Sequence, residues 1–413
     1  MRALIAAIPV LILTAGPASS DPTAQGLCLE AQHLPRVARV RAPGGEARYV
    51  RVIEAADGFP TRITPIAGGG GDLAAILERA SQPLPADAEI WSIAPEQVAA
   101  RVCAPFELSQ AEIDGEQRVV VAAGLNYAAH AEEAGGGDVF LFPKPVEPTA
   151  PYGVVSPPEG VTLLDYEVEL GLVLLADIAL GALPSADELL AQSAFFVADE
   201  ITDREPIIRH AVLSGPSSGF VEAKGQPGFL PAGPWLVRGT ELYRALAACG
   251  ADGFGIRLAV DEGDGFRPRQ DANTALMLLD PQELLARVAL EVQREGLRTA
   301  MPVVRNEQTR YYPLAIGADA PRLPAGSVVL TGTPEGVALA TPDRLGLVGR
   351  GLLHLRGPFE QFRHEQLARA AAGAPGGYLE PGDRVRAEID GLGAQVVRIT
   401  APGGLHPDPC GGS

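Results

Sequence analysis

Leu163-Leu164-Asp165-Tyr166-Glu167-Val168-Glu169-Leu170-Gly171-Leu172-Val173-Leu174-Leu175 is among the most apolar stretches of the chain, yet three of its alternate positions are carboxylates. Read as a strand, it puts Leu164, Tyr166, Val168, Leu170, Leu172 and Leu174 on one face. The other face carries Asp165, Glu167, Glu169, Gly171 and Val173. Three carboxylates in line on a half-buried strand repel one another, and each loses hydration. Either they line a wet cleft or a cation neutralises them. Oxygen-only ligands suit the hard cations Mg²⁺, Mn²⁺ and Ca²⁺. The competing reading of this segment alone is an edge strand with a solvated acidic face.

The rest of the chain sets the frame for that strand. Its 413 residues leave room for two domains, or for one large domain with insertions. A hydrophobic content of 46% supports a sizeable core and excludes a disordered or fibrous chain. With 48 Gly and 37 Pro, loops and β-turns are favoured over a helical bundle. The net charge of −18 disfavours nucleic acid and anionic membranes as partners, since no basic patch offsets it.

Residues 1–20 read as a secretory signal. Arg2 is the basic start, an apolar run follows from Ala3 to Thr14, and small residues precede Asp21. The apolar run is short for a membrane span. Export, in a bacterium to the periplasm, is the expectation. Cys28, Cys103, Cys249 and Cys410 then permit two disulfides in three pairings, which sequence does not choose among.

Residues 21–117 form a small N-terminal domain, with strands over 37–41 and 48–53 and a helix over 72–80. Residues 118–400 form a larger domain of short, Gly- and Pro-punctuated strands, with helices over 186–192 and 280–295. The pattern predicts an α+β, mainly β fold rather than alternating βαβ units. Residues 342–377 differ in character, with a helix over 358–373, and read as an insertion. Residues 401–413 are a tail.

Several further groups bear chemistry. Lys144 and Lys224 are the two lysines among 33 basic residues. Where Arg dominates, each surviving Lys offers a compact charge of tunable pKa. His130 and Glu133 share one face of a helical turn, where the carboxylate can orient the imidazole as a general base on water. Asp199-Glu200-Ile201-Thr202-Asp203-Arg204-Glu205 follows an apolar run and reads as a solvated turn or as the source of another oxygen ligand. Thr331-Gly332-Thr333-Pro334-Glu335-Gly336-Val337 follows a strand, and its amides and hydroxyls suit a carboxylate or carbonyl oxygen.

Taken in order, these pieces resemble the fumarylacetoacetate hydrolase family. The matching signatures are Gly124-Leu125-Asn126-Tyr127 with His130 and Glu133, Phe142-Pro143-Lys144-Pro145, Tyr166-Glu167-Val168-Glu169-Leu170 and the Asp199-to-Glu205 run. They continue with Ala223-Lys224, Gly233-Pro234-Trp235, Thr331-Gly332-Thr333-Pro334-Glu335-Gly336-Val337 and Leu379-Glu380-Pro381-Gly382-Asp383.

The resemblance implies a mixed β-sheet roll that binds a divalent metal, usually as a homodimer, and acts on a small 2-oxo acid. Glu167 and Glu169 match two of the family's metal ligands. The third is an Asp in a run resembling Asn-Asp-Val-Thr-Ala-Arg-Asp. Aligning Thr202 and Arg204 puts Glu200 in its place, with Asp199 as the alternative by a shift of register.

The implied cofactor is Mg²⁺, with Mn²⁺ or Ca²⁺ as substitutes. The implied reaction is C–C hydrolysis of a 2,4-dioxo acid. His130, Glu133 and Lys224 would be catalytic, and Lys144, Arg204 and Thr333 would bind substrate. Decarboxylation, isomerisation or hydration of a 2-oxo acid is the alternative within the family. An exported Ca²⁺-binding or ligand-binding module without turnover is the alternative outside it.

Overall fold

The computed structural model describes residues 22–411, apart from 69–71, 115–116, 211–218, 294–301, 306–307, 312–321, 340–349, 352, 355–356, 373–376 and 404–408. The expected signal segment 1–20 and much of the 342–377 insertion lie outside the described residues. The fold is α+β and mainly sheet, as the residue pattern predicts.

The carboxylate strand forms the centre of the larger sheet. Val168–Leu174 pairs antiparallel with Ser193–Asp199 on one side and with Val328–Leu330 on the other. Every residue of it is buried. A central, doubly covered strand rules out the edge strand with a solvated face.

The alternation read from sequence holds. Leu164, Tyr166, Val168, Leu170, Leu172 and Leu174 pack into one apolar cluster, and Val173 packs into the other. Gly171 leaves room for the Phe196 ring, which a Cβ would approach to 2.4 Å.

The strand is not continuous over 163–175, however. Leu164–Asp165 pairs with Thr202–Asp203, and the main ladder resumes only at Val168. Side chains take the intervening amides. Asp165 Oδ1 accepts from Tyr166 N at 2.8 Å, Asp199 Oδ1 from Glu167 N at 3.4 Å, and Gln270 Oε1 from Val168 N at 2.9 Å. Amides satisfied by side chains are lost to the ladder, so the backbone turns there.

Beyond Val328–Leu330 the sheet continues through the parallel strand Val120–Gly124 to Phe140–Pro143. On the opposite flank, Ser193–Asp199 pairs with Ala232–Arg238, which pairs with Arg36–Arg41 at Val37 and Leu236. Ala47–Ala56 and Phe59–Pro65 follow, so the N-terminal strands extend the same sheet.

A second sheet, ordered Phe266–Asn273, Gly255–Asp261, Arg384–Ile389, Gly393–Ile399 and Val154–Val155, packs on its face. Trp235 is fully buried between the two, with Nε1 donating to Gly391 O at 3.3 Å.

The helices follow their local signals. Asp72 caps Leu73–Ser81 by accepting from Ala74 N, and Ser185 with Glu188 forms a capping box on Ala186–Ala191. Pro281–Gln293 and Pro358–Ala371 fall where the pattern puts them. All four cysteines are paired, Cys28 with Cys249 and Cys103 with Cys410. The first pair ties the N-terminal helix Pro22–Ala31 to the larger region, and the second ties the N-terminal strands to the tail. Among the described residues, no helix is long and apolar enough to cross a membrane.

Candidate metal centre

The antiparallel register brings the acidic run onto the carboxylate strand. Val168 faces Asp199 across the ladder, and just past its end Glu200 N donates to Glu167 O at 2.7 Å. As a result Glu167, Glu169 and Glu200 each offer an oxygen within 4.8 Å of the others. All three are at least 96% buried.

Asp199 faces elsewhere, toward the Glu167 amide. Asp165 stands behind the cluster. It accepts from Arg204 Nε at 2.7 Å and from the amides of Ala338 and Leu339 at 2.8 and 3.1 Å, which anchors the 331–339 turn.

Three cations balance these groups in part. Lys224 Nζ donates to Glu167 Oε2 at 2.7 Å, Glu200 Oε2 at 2.5 Å and Thr202 Oγ1 at 2.9 Å. All three of its protons are thereby committed. Arg204 clamps Asp165 and Glu167. Lys144 is fully buried, donates to Lys224 O at 2.8 Å, and approaches Glu200 Oε1 at 3.4 Å.

Asp165, Glu167, Glu169, Asp199 and Glu200 set against Lys144, Lys224 and Arg204 leave a formal excess of two negative charges in a buried space. The strain concentrates on Glu169. Its Oε2 accepts from Gly332 N at 2.9 Å, but its Oε1 has no hydrogen-bond partner among the described residues. Burial, and then the charges of Glu200 and Glu167, push its pKa well above the usual carboxylate range. Burial also raises Asp199, to about 7. Burial opposes ionisation of Glu167 too, but Lys224 and Arg204 overcome it and hold that carboxyl low. Burial lowers Lys144 to about 8, against the pull of Glu200.

An orphaned buried carboxylate oxygen, an all-oxygen donor set and a formal excess of two negative charges when all five carboxyls are ionised fit a divalent hard cation.

The centre opens into a cavity of about 220 Å³. Glu167, Glu200, Arg204 and Lys224 line it, as do His130, Glu133 and Thr333. His130 Nδ1 lies 3.2 Å from Glu133 Oε2, on the short helix Ala128–Glu133. Glu133 in turn accepts from Gly336 N at 3.1 Å, so the 331–337 turn holds the pair. Thr333 Oγ1 donates to Val168 O at 2.9 Å and accepts from Gln270 Nε2 at 2.8 Å.

Of the nine residues singled out from sequence, seven therefore line one cavity. Glu169 lies outside the lining with an oxygen within 4.8 Å of those of Glu167 and Glu200, and Lys144 sits behind Glu200, also outside it. Gln270 escaped the sequence reading. It lies on the other sheet, in a strand whose sequence, Phe266-Arg267-Pro268-Arg269-Gln270, carries no motif.

The chain is similar to known proteins. Residues 119–400 match the family model described as fumarylacetoacetate (FAA) hydrolase C-terminal. A relative from Burkholderia lata, named a hydrolase without a stated substrate, is 28% identical over 262 residues, covering 60% of this chain and 74% of its own.

Among solved structures, the fumarylacetoacetate hydrolase of Exiguobacterium antarcticum matches with a TM-score of 0.54 at 21% identity, over 89% of this chain and 99% of that one. A 2-hydroxyhepta-2,4-diene-1,7-dioate isomerase from Mycobacterium marinum matches with a TM-score of 0.52 at 18% identity, over 89% and 99%. At such identities the structural likeness carries the fold alone. The family model spans more than half of the sequence and includes every carboxylate of the centre: the chain belongs to the fumarylacetoacetate hydrolase family.

Proposed function

We propose that this chain is a divalent-metal-dependent hydrolase that cleaves a carbon–carbon bond in a 2,4-dioxo acid of the acylpyruvate kind. The observation that carries the reading is the meeting of Glu167, Glu169 and Glu200 with the His130–Glu133 pair at one cavity. The three glutamates would hold Mg²⁺, or Mn²⁺ in its place. Such an ion, when bound, supplies Lewis-acid polarisation and a neutralising charge for the oxygens of a 2-oxo acid.

The remaining work falls to the chain. With Glu133 accepting from Nδ1–H, His130 keeps the lone pair of Nε2 for a proton from water. Gly336 N–H fixes the carboxylate that sets this tautomer. Lys224 holds Glu167 and Glu200 in place and lends positive charge to the cavity floor, while Lys144 supports Glu200 from behind. Arg204 and Thr333 shape the wall, their polar atoms already engaged by Glu167, Asp165, Val168 and Gln270. A mere cation-binding module needs neither a cavity nor a polarised His–Glu pair beside its carboxylates.

The test is a panel of acylpyruvates and oxaloacetate turned over by Mg²⁺-loaded protein, with the products identified. Release of pyruvate and the matching carboxylic acid is expected. Absence of C–C cleavage on every acylpyruvate would overturn the reading, and decarboxylation of oxaloacetate alone would move it to a lyase.

Export belongs to the same proposal. Two disulfides that use every cysteine support it, because such bonds persist in oxidising compartments. Sequencing the native N-terminus should find cleavage near Ser20. The family resemblance supports a homodimer, to be read by light scattering.

A further inference from the structure

The cavity has two unlike ends. Its floor is charged, but much of the wall is formed by Phe140, Phe142, Phe220, Ile207, Ile208 and Phe362. Three of these are an aromatic cluster, with Phe220 centred 4.8 Å from Phe140 and 5.3 Å from Phe142.

Phe362 comes from the inserted segment, on the helix Pro358–Ala371, outside the motifs shared with the family. That helix is fastened over the site at two points. Arg363 pairs with Glu205 at 2.6 Å, and Arg369 Nη1 donates to Ala338 O at 2.8 Å, on the turn that Asp165 anchors.

Lys224 and Arg204 are the only Lys or Arg among the described lining residues, and carboxylates already engage both. A second carboxylate at the far end of a substrate would lose its water against these rings and, among the described lining residues, find no Lys or Arg free of a carboxylate, His130 being the one other basic group, whereas an alkyl or aryl group would lose nothing.

We infer that this site selects 2-oxo acids whose far end is a bulky apolar acyl group over dicarboxylic ones, and that the inserted helix sets this selectivity by closing the acyl pocket with Phe362. The inference rests on the proposed reaction only for its turnover measurement.

The experiment therefore has two arms, both on full-length, Mg²⁺-loaded protein. The turnover arm compares hexanoylpyruvate with succinylpyruvate, whose reacting centres are alike. The binding arm compares 2-oxooctanoate with 2-oxoglutarate by calorimetry, since neither has a 4-oxo group to cleave. An apolar preference of about tenfold or more is expected in both arms, the scale on which a hydrophobic pocket discriminates. Phe362→Ala should cost hexanoylpyruvate about tenfold in kcat/KM, mostly through KM, and cost acetylpyruvate, whose acyl group is a single methyl, clearly less.

Equal or better binding of the diacid overturns the inference, with or without turnover. Apolar preference in calorimetry without any acylpyruvate cleavage retains the pocket and rejects the reaction. A preference unchanged in both Phe362→Ala and Phe362→Leu overturns the role of the helix.

Discussion

Glu200 N donates to Glu167 O at 2.7 Å, and this main-chain bond fixes which acidic residue of the 199–205 run reaches the centre. It sets Glu200 beside the strand carboxylates and leaves Asp199 turned to the Glu167 amide. Glu200, one methylene longer than the Asp that the resemblance implies, brings an oxygen within 4.8 Å of those of Glu167 and Glu169. Glu200→Ala should weaken Mg²⁺ binding by about tenfold or more, whereas Asp199→Asn should leave it near wild type. The Glu167→Ala/Glu169→Ala double variant should bind none. Elemental analysis after gel filtration reads all three, and full retention of metal in the double variant would sink the assignment.

His130 and Glu133 touch none of the three glutamates by a hydrogen bond, so chemistry and metal binding should separate there. His130→Ala should lower kcat on an acylpyruvate by about 10²- to 10⁴-fold, the usual weight of a general base. Metal content should not change. Glu133→Gln, which loses the charge that polarises Nδ1–H, should fall between wild type and His130→Ala. Unimpaired kcat in His130→Ala would favour decarboxylation, which needs no activated water.

Much of this was legible in the sequence because its signals are local. The alternation put Leu170 and Leu172 on one face and Glu169 on the other, and the ladder from Val168 to Leu174 kept it. Asp72 and Pro358 stand at helix starts where the sequence reading put them, the first as a side-chain cap and the second as a proline in the first turn. The break at Tyr166 and Glu167 was hidden, because it depends on Asp199 and Gln270 arriving from distant strands to take amides. The helix Gly239–Ala248 was missed although Leu242, Ala245 and Leu246 have helical spacing, since the Gly at its start reads as a loop. Lys144 and Lys224 stood out by rarity, but rarity did not say that one supports the centre from behind and the other faces the cavity.

Asp203 gives a pH dependence of stability that is independent of the metal. Burial, reinforced by the charges of Glu205 and Glu222, raises its pKa from 3.8 to about 6 against the Glu205 amide, which donates to its Oδ1 at 3.1 Å. Below about pH 4 the group is protonated in both folded and unfolded chains, so its contribution to stability is fully present. As pH rises the unfolded chain ionises first, and the contribution is lost through pH 6. Asp203→Asn keeps the acceptor and removes the titration. Thermal unfolding from pH 4 to 8 should show a Tm advantage for the variant that grows to about pH 7 and then levels off. A constant difference between variant and wild type would refute the shift.

Gly332 links backbone conformation to the centre more directly than any side chain in the 331–337 turn. Its φ of +90° suits glycine, and an added Cβ would lie 2.9 Å from Asn126 Cβ and 3.1 Å from Ala123 O. Neither neighbour yields easily, because Asn126 is itself held by Thr331 O at 2.8 Å and Leu279 O at 2.9 Å. Gly332→Ala should therefore cost about 1–3 kcal/mol of stability, the range for a residue forced into the left-handed region. It should also pull the amide from Glu169 Oε2, the one hydrogen bond that orients this carboxylate among the described residues. Weaker Mg²⁺ binding is then expected at a temperature where the variant is fully folded, measured by calorimetry beside a circular-dichroism melt. A destabilised variant with wild-type metal affinity would show that the turn supports the fold and not the centre.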